Sequence, residues 1–145
     1  MSGNTMQYAE TPDGLTALHA GTWHWLQLGE RNGSEDLSDS TVTTAWETCD
    51  LSGRVPPGTV AIFGIARVIT TTAQDMAVLY LRPSGSAAAA GALTSTIQIA
   101  AEQGANVLRV QVPTVILAPN GVFQYCESGT YTVDTFAFTM WGYMI

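Results

Sequence analysis

The chain contains no lysine, and its basic residues are five arginines: Arg31, Arg54, Arg67, Arg82 and Arg109. Charged residues make up only 12% of the sequence, about half the share that is usual in globular proteins. The net charge is −7 at pH 7, whereas binding to a phosphate backbone requires a basic patch. These absences argue against nucleic acid as a partner.

Long apolar runs and a cysteine framework are also missing from the sequence. No apolar run approaches the roughly twenty residues that span a membrane, so no membrane insertion is expected. No N-terminal stretch joins a positive start to an apolar segment, so no signal peptide is predicted. Cys49 and Cys126 are the only cysteines. They could pair, but two cysteines do not make the framework of a small secreted domain, and free buried thiols are favoured.

Catalytic and metal-binding patterns are weak. His19 and His24 are the only histidines, and nothing places a serine or either cysteine beside them. Nucleophilic catalysis needs a nucleophile, a base and an orienting group brought together. A metal site needs three or four ligands at characteristic spacing, which these residues do not provide. We therefore expect no enzymatic activity, no metal and no cofactor.

Four carboxylates crowd one stretch rich in Asn, Gly and Ser: Glu30, Glu35, Asp36 and Asp39. Paired carboxylates could serve a glycoside hydrolase, and oxygen ligands could bind calcium. The spacing matches no calcium-loop motif, and the polar neighbours favour a solvated acidic loop. A hydrolase is therefore the weakest of the functional hypotheses.

From Ser40 onward the sequence predicts strands separated by turns. Segments rich in β-branched and aromatic residues include GTVAIFGIARVITT, QDMAVLYLRP, ANVLRVQVPTVILA and TFAFTMWGYMI. VPPG predicts a tight turn, APNG a hairpin, and SGSAAAAGAL a loop of small residues. Seven or eight such strands without a convincing helix indicate an all-β fold, an antiparallel β-sandwich or jelly roll.

The first forty residues differ from the rest, because polar, turn-rich segments flank one aromatic island, TWHWLQL. We interpret residues 1–40 as an extended N-terminal arm that docks on the domain or on a neighbour, and residues 41–145 as the sandwich. The island can form one strand, because Trp23 and Trp25 alternate with His24 and Leu26.

Several strands are apolar on both faces, although a sandwich strand needs only one apolar face. The second face must then be covered by the arm or by another subunit, which favours an oligomer. Arg67, Arg82 and Arg109 lie within or at the ends of apolar strands and need partners, for which carboxylates of another subunit are plausible.

The aromatic residues are the candidate contacts. Trp23 and Trp25, which flank His24, are predicted to anchor the arm to another subunit or to a larger particle. Exposed tryptophan faces could instead stack on sugars. The terminal strand adds Phe138, Trp141 and Tyr143 as candidate contact residues, whereas Trp46 and Trp141 are expected to pack in the core.

The segment AWETCDLSGRVPPGTVAIFGIARV, from Ala45 to Val68, resembles small β-sandwich domains of tailed-phage particles. Two later segments, LYLRPSGS and VPTVILAPNGVFQYCESGTYTVDTFAFTMWGYMI, resemble the same group. The resemblance covers roughly residues 45–145, and its motifs are mostly turn and core positions, which specify a fold more than a function. The arm has no counterpart in it.

The resemblance implies a jelly-roll component of the virion: a capsid decoration or head-fibre protein, or a tail-fibre domain, commonly trimeric. Its partners would be copies of itself and other virion proteins, such as major capsid or tail proteins, and it would be assembled into particles in the host cytoplasm. The alternative function is an adhesin module that recognises a carbohydrate or another receptor on the host surface.

Overall fold

The structure is a computed structural model that describes residues 5–6, 22–26, 35–71, 76–91, 97–102 and 108–145. These residues form ten strands and two 3₁₀ turns, Ser52–Arg54 and Pro119–Gly121, with no α-helix among them. The strands are β1 (Thr5–Met6), β2 (Trp23–Trp25), β3 (Leu37–Asp39), β4 (Glu47–Asp50), β5 (Ala61–Thr70), β6 (Met76–Pro83), β7 (Ile97–Glu102), β8 (Leu108–Leu117), β9 (Val122–Glu127) and β10 (Thr135–Met144). The prediction of an all-β chain with antiparallel sheets is confirmed. Within the described ranges no helix is long and apolar enough to cross a membrane.

The larger sheet, sheet A, is organised around β10. One edge of β10 pairs along the strand with β5, and β5 pairs in turn with β8. The other edge of β10 pairs with two short strands placed end to end, β3 against 136–138 and β2 against 142–144. The order is therefore β1-β2-β10-β5-β8, with β3 beside β10 as well.

The smaller sheet, sheet B, has the order β4-β9-β6-β7. The core lies between the two sheets, where aromatic side chains of β9 meet those of β10. The rings of Phe123 and Phe138 are 5.8 Å apart, and those of Tyr125 and Phe136 are 4.9 Å apart. All four side chains are buried, and each contributes about 1.5–3 kcal/mol by leaving water. The chain's last strand is thus a central element of the fold.

A β-bulge at Trp141 interrupts β10 between its two short partners. The register with β5 shifts between Met140 and Gly142, which leaves Trp141 as the extra residue. The carbonyl of Trp141 accepts a hydrogen bond of 2.8 Å from the amide of Leu26. Because one residue is inserted, Met140 and Tyr143 both belong to the core cluster although they are three positions apart.

Asp36 also holds the bulge, from the same edge of β10 as Leu26. Its Oδ2 accepts a hydrogen bond of 2.7 Å from Met140 N, and its Oδ1 forms an ion pair of 2.7 Å with Arg54 Nη1. The side chain of Asp36 is only 1% exposed, so the interpretation of this segment as a solvated acidic loop is wrong at Asp36. Glu35, next to it, forms an ion pair with Arg67.

The turn before β5 follows the prediction. Thr59 N and Thr59 Oγ1 donate to the carbonyl of Pro56, at 3.3 and 2.8 Å, and Gly58 has a φ of 87°. Pro57 at the second position and a glycine with positive φ at the third are the residues that a type II turn requires.

The Asn120–Gly121 turn does not form the predicted hairpin. It connects β8 of sheet A to β9 of sheet B, so the strands on either side of it do not pair with each other. Asn120 has a φ of 51° and Gly121 a φ of 81°, so both adopt the left-handed conformation. Asn120 is also held by the preceding turn, because its Oδ1 accepts a hydrogen bond of 2.9 Å from Gly58 N. The Asn-Gly dipeptide correctly predicted a sharp reversal of the backbone, but this turn leads from one sheet to the other.

The outward side of sheet B is partly covered by this chain itself. Val78 and Cys126 face away from the core and yet are 2% and 0% exposed. The small-residue loop after β6 lies nearby, since the Ala88 carbonyl accepts a hydrogen bond from Arg82 and Gly91 adjoins the Tyr80 ring. The two-sided apolar pattern of β6 therefore needs no second subunit here.

The predicted arm enters the structure in part. Residues 22–26 and 35–40 belong to sheet A or its edge, where β2 and β3 pair with β10. The tryptophan island forms a strand as predicted over Trp23–Trp25. The remainder of the arm, apart from β1, lies outside the described residues, as do His19 and Glu30.

Candidate interaction surface

The outward face of sheet A carries apolar side chains in two adjoining rows. Paired residues of antiparallel strands lie side by side on one face of a sheet. One row runs across four strands through Trp25, Gly142, Phe63 and Val115. The next runs through Trp23, Met144, Ala61 and Leu117. We refer to Trp23, Trp25, Phe63, Val115 and Leu117 as the apolar patch.

Both tryptophans of the patch contact the same phenylalanine. The ring centroid of Phe63 lies 5.0 Å from that of Trp23 and 4.6 Å from that of Trp25, and both pairs are T-shaped. Such edge-to-face contacts stabilise aromatic pairs by about 0.5–1.5 kcal/mol beyond the area that they bury. Phe63 is 9% exposed, whereas Trp25 remains 37% exposed. Phe63 therefore fixes the tryptophans while leaving part of Trp25 open.

Gly142 makes these contacts possible. It lies between Trp25 and Phe63 in the row, and a Cβ at this position would come within 2.3 Å of Phe63 Cζ. The absence of a side chain on β10 lets rings from β2 and β5 meet above it. Glycine inside a strand is typical of such close approaches.

An open groove of about 230 Å³ separates the aromatic cluster from β8. It is lined by Trp23, Trp25, Phe63 and Val115, and its surface is almost entirely apolar. Val115 and Leu117 project beside it from β8 and are 52% and 58% exposed. An enclosed apolar cavity of about 150 Å³ admits benzene, so this groove has room for one or two large apolar side chains.

The outward face becomes polar away from the patch. Arg67, farther along β5, forms an ion pair with Glu35, and its neighbour on β8 is the exposed residue Gln111. The two apolar rows contain no charged residue, although the chain carries a net charge of −7. The patch is therefore an uncharged area on an acidic molecule.

The other predicted contact residues lie elsewhere. His24 points to the opposite side of β2 and stacks on Tyr143, with the ring centroids 4.9 Å apart. Phe138 and Tyr143 belong to the core cluster, which leaves them unavailable to a partner. Trp141 is half-buried at the bulge. Of the six candidate contact residues, only Trp23 and Trp25 thus lie together on an open surface.

Two tryptophans expected in the core are not there. Trp141 and Trp46 are both half-buried and lie outside the core cluster. The guanidinium of Arg82 lies 4.0 Å above the ring of Trp46, and Arg82 Nε donates a hydrogen bond of 2.8 Å to Gln124. Arg82 and Arg67 thus find partners within the chain, so neither of them requires a carboxylate from another subunit.

Sequence patterns alone missed Phe63, Val115 and Leu117. Their strands are apolar on both sides, so alternation could not show which residues share an open face. Gly142 was the available signal, since an isolated glycine in a strand marks a place where neighbours approach closely.

A carboxylate pair joins the two sheets at another edge. Tyr125 OH donates a hydrogen bond of 2.9 Å to Asp39 Oδ2 and lies 3.5 Å from Glu47 Oε2. Partial burial alone raises the pKa of Asp39, but hydrogen bonds from Thr41 and Tyr125 outweigh it and hold the pKa below 3.8. Burial, together with the bond to Asp39, raises the pKa of Tyr125. These groups fasten β3 to β9 and leave the carboxylates occupied.

The cysteines are free and buried, as predicted. Burial raises the pKa of Cys49 to about 12 and that of Cys126 to about 11, which keeps both as neutral thiols. Among the described residues no group of three or more His, Cys, Asp or Glu side chains could hold a metal ion. No model of a known protein family and no curated protein matches the chain.

Proposed function

We propose that the chain is a structural component of a tailed-phage particle, built as a jelly roll. The strand order carries this proposal. Strands β3 to β10 lie in two sheets, in the orders β3-β10-β5-β8 and β4-β9-β6-β7. An antiparallel ribbon takes these orders when it rolls into two Greek keys, the jelly-roll arrangement found in viral capsid domains and also in lectin domains. The resemblance of residues 45–145 to phage β-sandwich domains supports the same conclusion.

The proposed role is mechanical rather than enzymatic. Asp36 is engaged by Arg54 and the bulge, Glu35 by Arg67, and Asp39 by Tyr125. Carboxylates engaged by structural partners in this way are occupied, which supports a role without acid–base catalysis. The chain would add to a capsid as a decoration or head-fibre protein, or to a tail fibre, as a homotrimer that contacts major capsid or tail proteins.

A host-surface adhesin is the alternative, and the groove beside Trp25 is the observation that favours it. Aromatic faces stack on sugars, but specific sites also place polar groups around the ligand. The groove is lined by Trp23, Trp25, Phe63 and Val115, which offer a sugar hardly any hydrogen-bonding groups. The lining suits an apolar protein surface better than a carbohydrate.

The test is to locate the chain in particles. Phage produced from the genome that encodes it would be banded by density, and the chain quantified against the major capsid protein by mass spectrometry. We expect a fixed stoichiometry and labelling of heads or tails by a specific antibody. A chain that stays in the soluble fraction would overturn the proposal. Binding to a glycan array without particle association would favour the adhesin.

A further inference from the structure

We propose that copies of this chain associate with one another through the apolar patch of sheet A. This inference names the contact surface of the oligomer proposed above and rests on that proposal for its biological role. The occupant of the patch is a second copy of the chain, which presents its own patch around the symmetry axis of the oligomer.

The size of the patch is the first argument. Trp25, Val115 and Leu117 are 37%, 52% and 58% exposed, although each is a large apolar side chain. They leave on the order of 300 Å² of apolar surface open, the size at which a patch on a monomer often has a function. A stable interface needs about 800 Å² from each partner, with its apolar part at the centre. The patch is suited to be that centre.

The shape of the patch is the second argument. Leu117 projects from β8, while the groove beside it has a volume of about 230 Å³ and is lined by Trp23, Trp25, Phe63 and Val115. A projecting side chain and a matching groove on one face can be satisfied by the same face of another copy. In a trimer, Leu117 of each copy would lie against the groove of the next copy, a head-to-tail contact that closes into a ring.

Charge and strand geometry also favour this occupant. Copies with a net charge of −7 repel each other, and the two apolar rows form an uncharged area where they can approach. A partner chosen for charge would instead contact the acidic residues, which lie outside these rows. Pro113 lies in β8, an edge strand of the described sheet, and offers no amide for strand addition. Packing against the face is therefore favoured over extension of the sheet.

The experiment compares the solution masses of three single variants by light scattering on a sizing column. Val115→Glu and Leu117→Glu each place a carboxylate in the patch at an exposed position. Gln111→Glu adds the same charge to the same face of β8, outside the patch, and serves as the matched control. The wild-type chain of 15.4 kDa should run as an oligomer, at about 46 kDa for a trimer.

We expect the two patch variants to weaken association by roughly a hundredfold or more, because a buried carboxylate without a partner is strongly unfavourable. They should run at the mass of one chain and keep the wild-type circular dichroism spectrum. Gln111→Glu should keep the wild-type mass. If Leu117→Glu does not fold, Leu117→Ser gives the same test with a milder change.

Three results would overturn the inference. The first is a wild-type chain that is still monomeric at about 100 μM, a concentration at which even weak association is detected. The other two are patch variants that keep the wild-type mass, and a Gln111→Glu variant that dissociates as well. None of these outcomes decides whether the chain occurs in phage particles, which depends on the stoichiometry measured there. Particle association by a monomer would refute the contact surface and the homotrimer and would leave the virion role in place. Self-association through the patch without particle association would refute the virion role alone.

Discussion

Phe63 on β5 and Gly142 on β10 are paired residues, and the phenylalanine ring fills the space that a side chain at position 142 would need. A Cβ there would also come within 2.2 Å of the His24 carbonyl oxygen. We expect Gly142→Ala to lower the free energy of unfolding by about 1–3 kcal/mol, because backbone and ring must both shift. Urea unfolding followed by circular dichroism measures the loss.

Gly53→Ala is the control for this substitution. At Gly53 no heavy atom lies within 4 Å of the added carbon, and φ is not positive. The free energy of unfolding of Gly53→Ala should therefore be unchanged or slightly raised. Equal stability of Gly142→Ala and wild type would contradict the tight contact.

Asp36 should be the most sensitive carboxylate among those described, because it holds both Arg54 and the amide of Met140 while being 1% exposed. Asp36→Ala removes one side of a buried ion pair and should cost about 3–5 kcal/mol in the free energy of unfolding. Asp36→Asn keeps an acceptor for Met140 N and should lie between alanine and wild type. Asp50→Ala, at an exposed carboxylate, should have a much smaller effect. Similar losses of unfolding free energy at Asp36 and Asp50 would contradict the stabilising role assigned to the contacts of Asp36.

Acid should weaken the link between β3 and β9. The pKa of Asp39 is lower in the folded chain than its ordinary value of 3.8, so the unfolded chain takes up the proton first. The stabilisation by this carboxylate is present above about pH 4 and is lost as the pH falls further. We expect Asp39→Asn to flatten the fall in unfolding free energy below pH 4.

Tyr125→Phe checks the same link at neutral pH. It removes the donor to Asp39 and should cost about 1 kcal/mol in unfolding free energy. An unaltered acid profile in Asp39→Asn would contradict the role assigned to this carboxylate.

The cysteines should resist thiol reagents in the folded chain. Cys49 and Cys126 are 3% and 0% exposed, and burial raises the pKa of both, whereas the thiolate is the reactive species. With Ellman's reagent at pH 8 we expect labelling to be roughly a hundredfold slower than in urea, because it requires opening of the structure. In urea, two thiols per wild-type chain should react with the reagent, and one thiol per chain in the Cys126→Ala variant. Rapid labelling of a native thiol would show that its site is open.

Most strands could be predicted from composition and alternation, because β5, β6, β8 and β10 are long and rich in β-branched or aromatic residues. Pairing was harder to predict. Asn120–Gly121 specifies a local backbone reversal, but which sheet receives β9 depends on contacts with distant strands. The same holds for Asp36, whose acidic neighbourhood resembles a solvated loop until Arg54 and the bulge of β10 approach it.

The apolar patch was predictable only through its tryptophans. Trp23 and Trp25 stand out in a polar segment, which made them candidates before any fold was known. Phe63 and Val115 lie in strands that are apolar on both sides, and no local pattern separates their open face from the core. Phe138 and Tyr143 illustrate the converse, because aromatic residues of a terminal segment became core residues once β10 took a central place.

The central position of β10 also sets an order on folding during synthesis. Among the described strands, sheet B is complete once residues up to 127 are available, whereas β2 and β5 are joined through the strand at 135–144. Until that strand is made, Gly142 is not in place between Trp25 and Phe63, and their edge-to-face contact cannot form. Contacts so distant along the chain form slowly. During synthesis sheet B can therefore be built before β10 is made, whereas the apolar patch is assembled only with that strand.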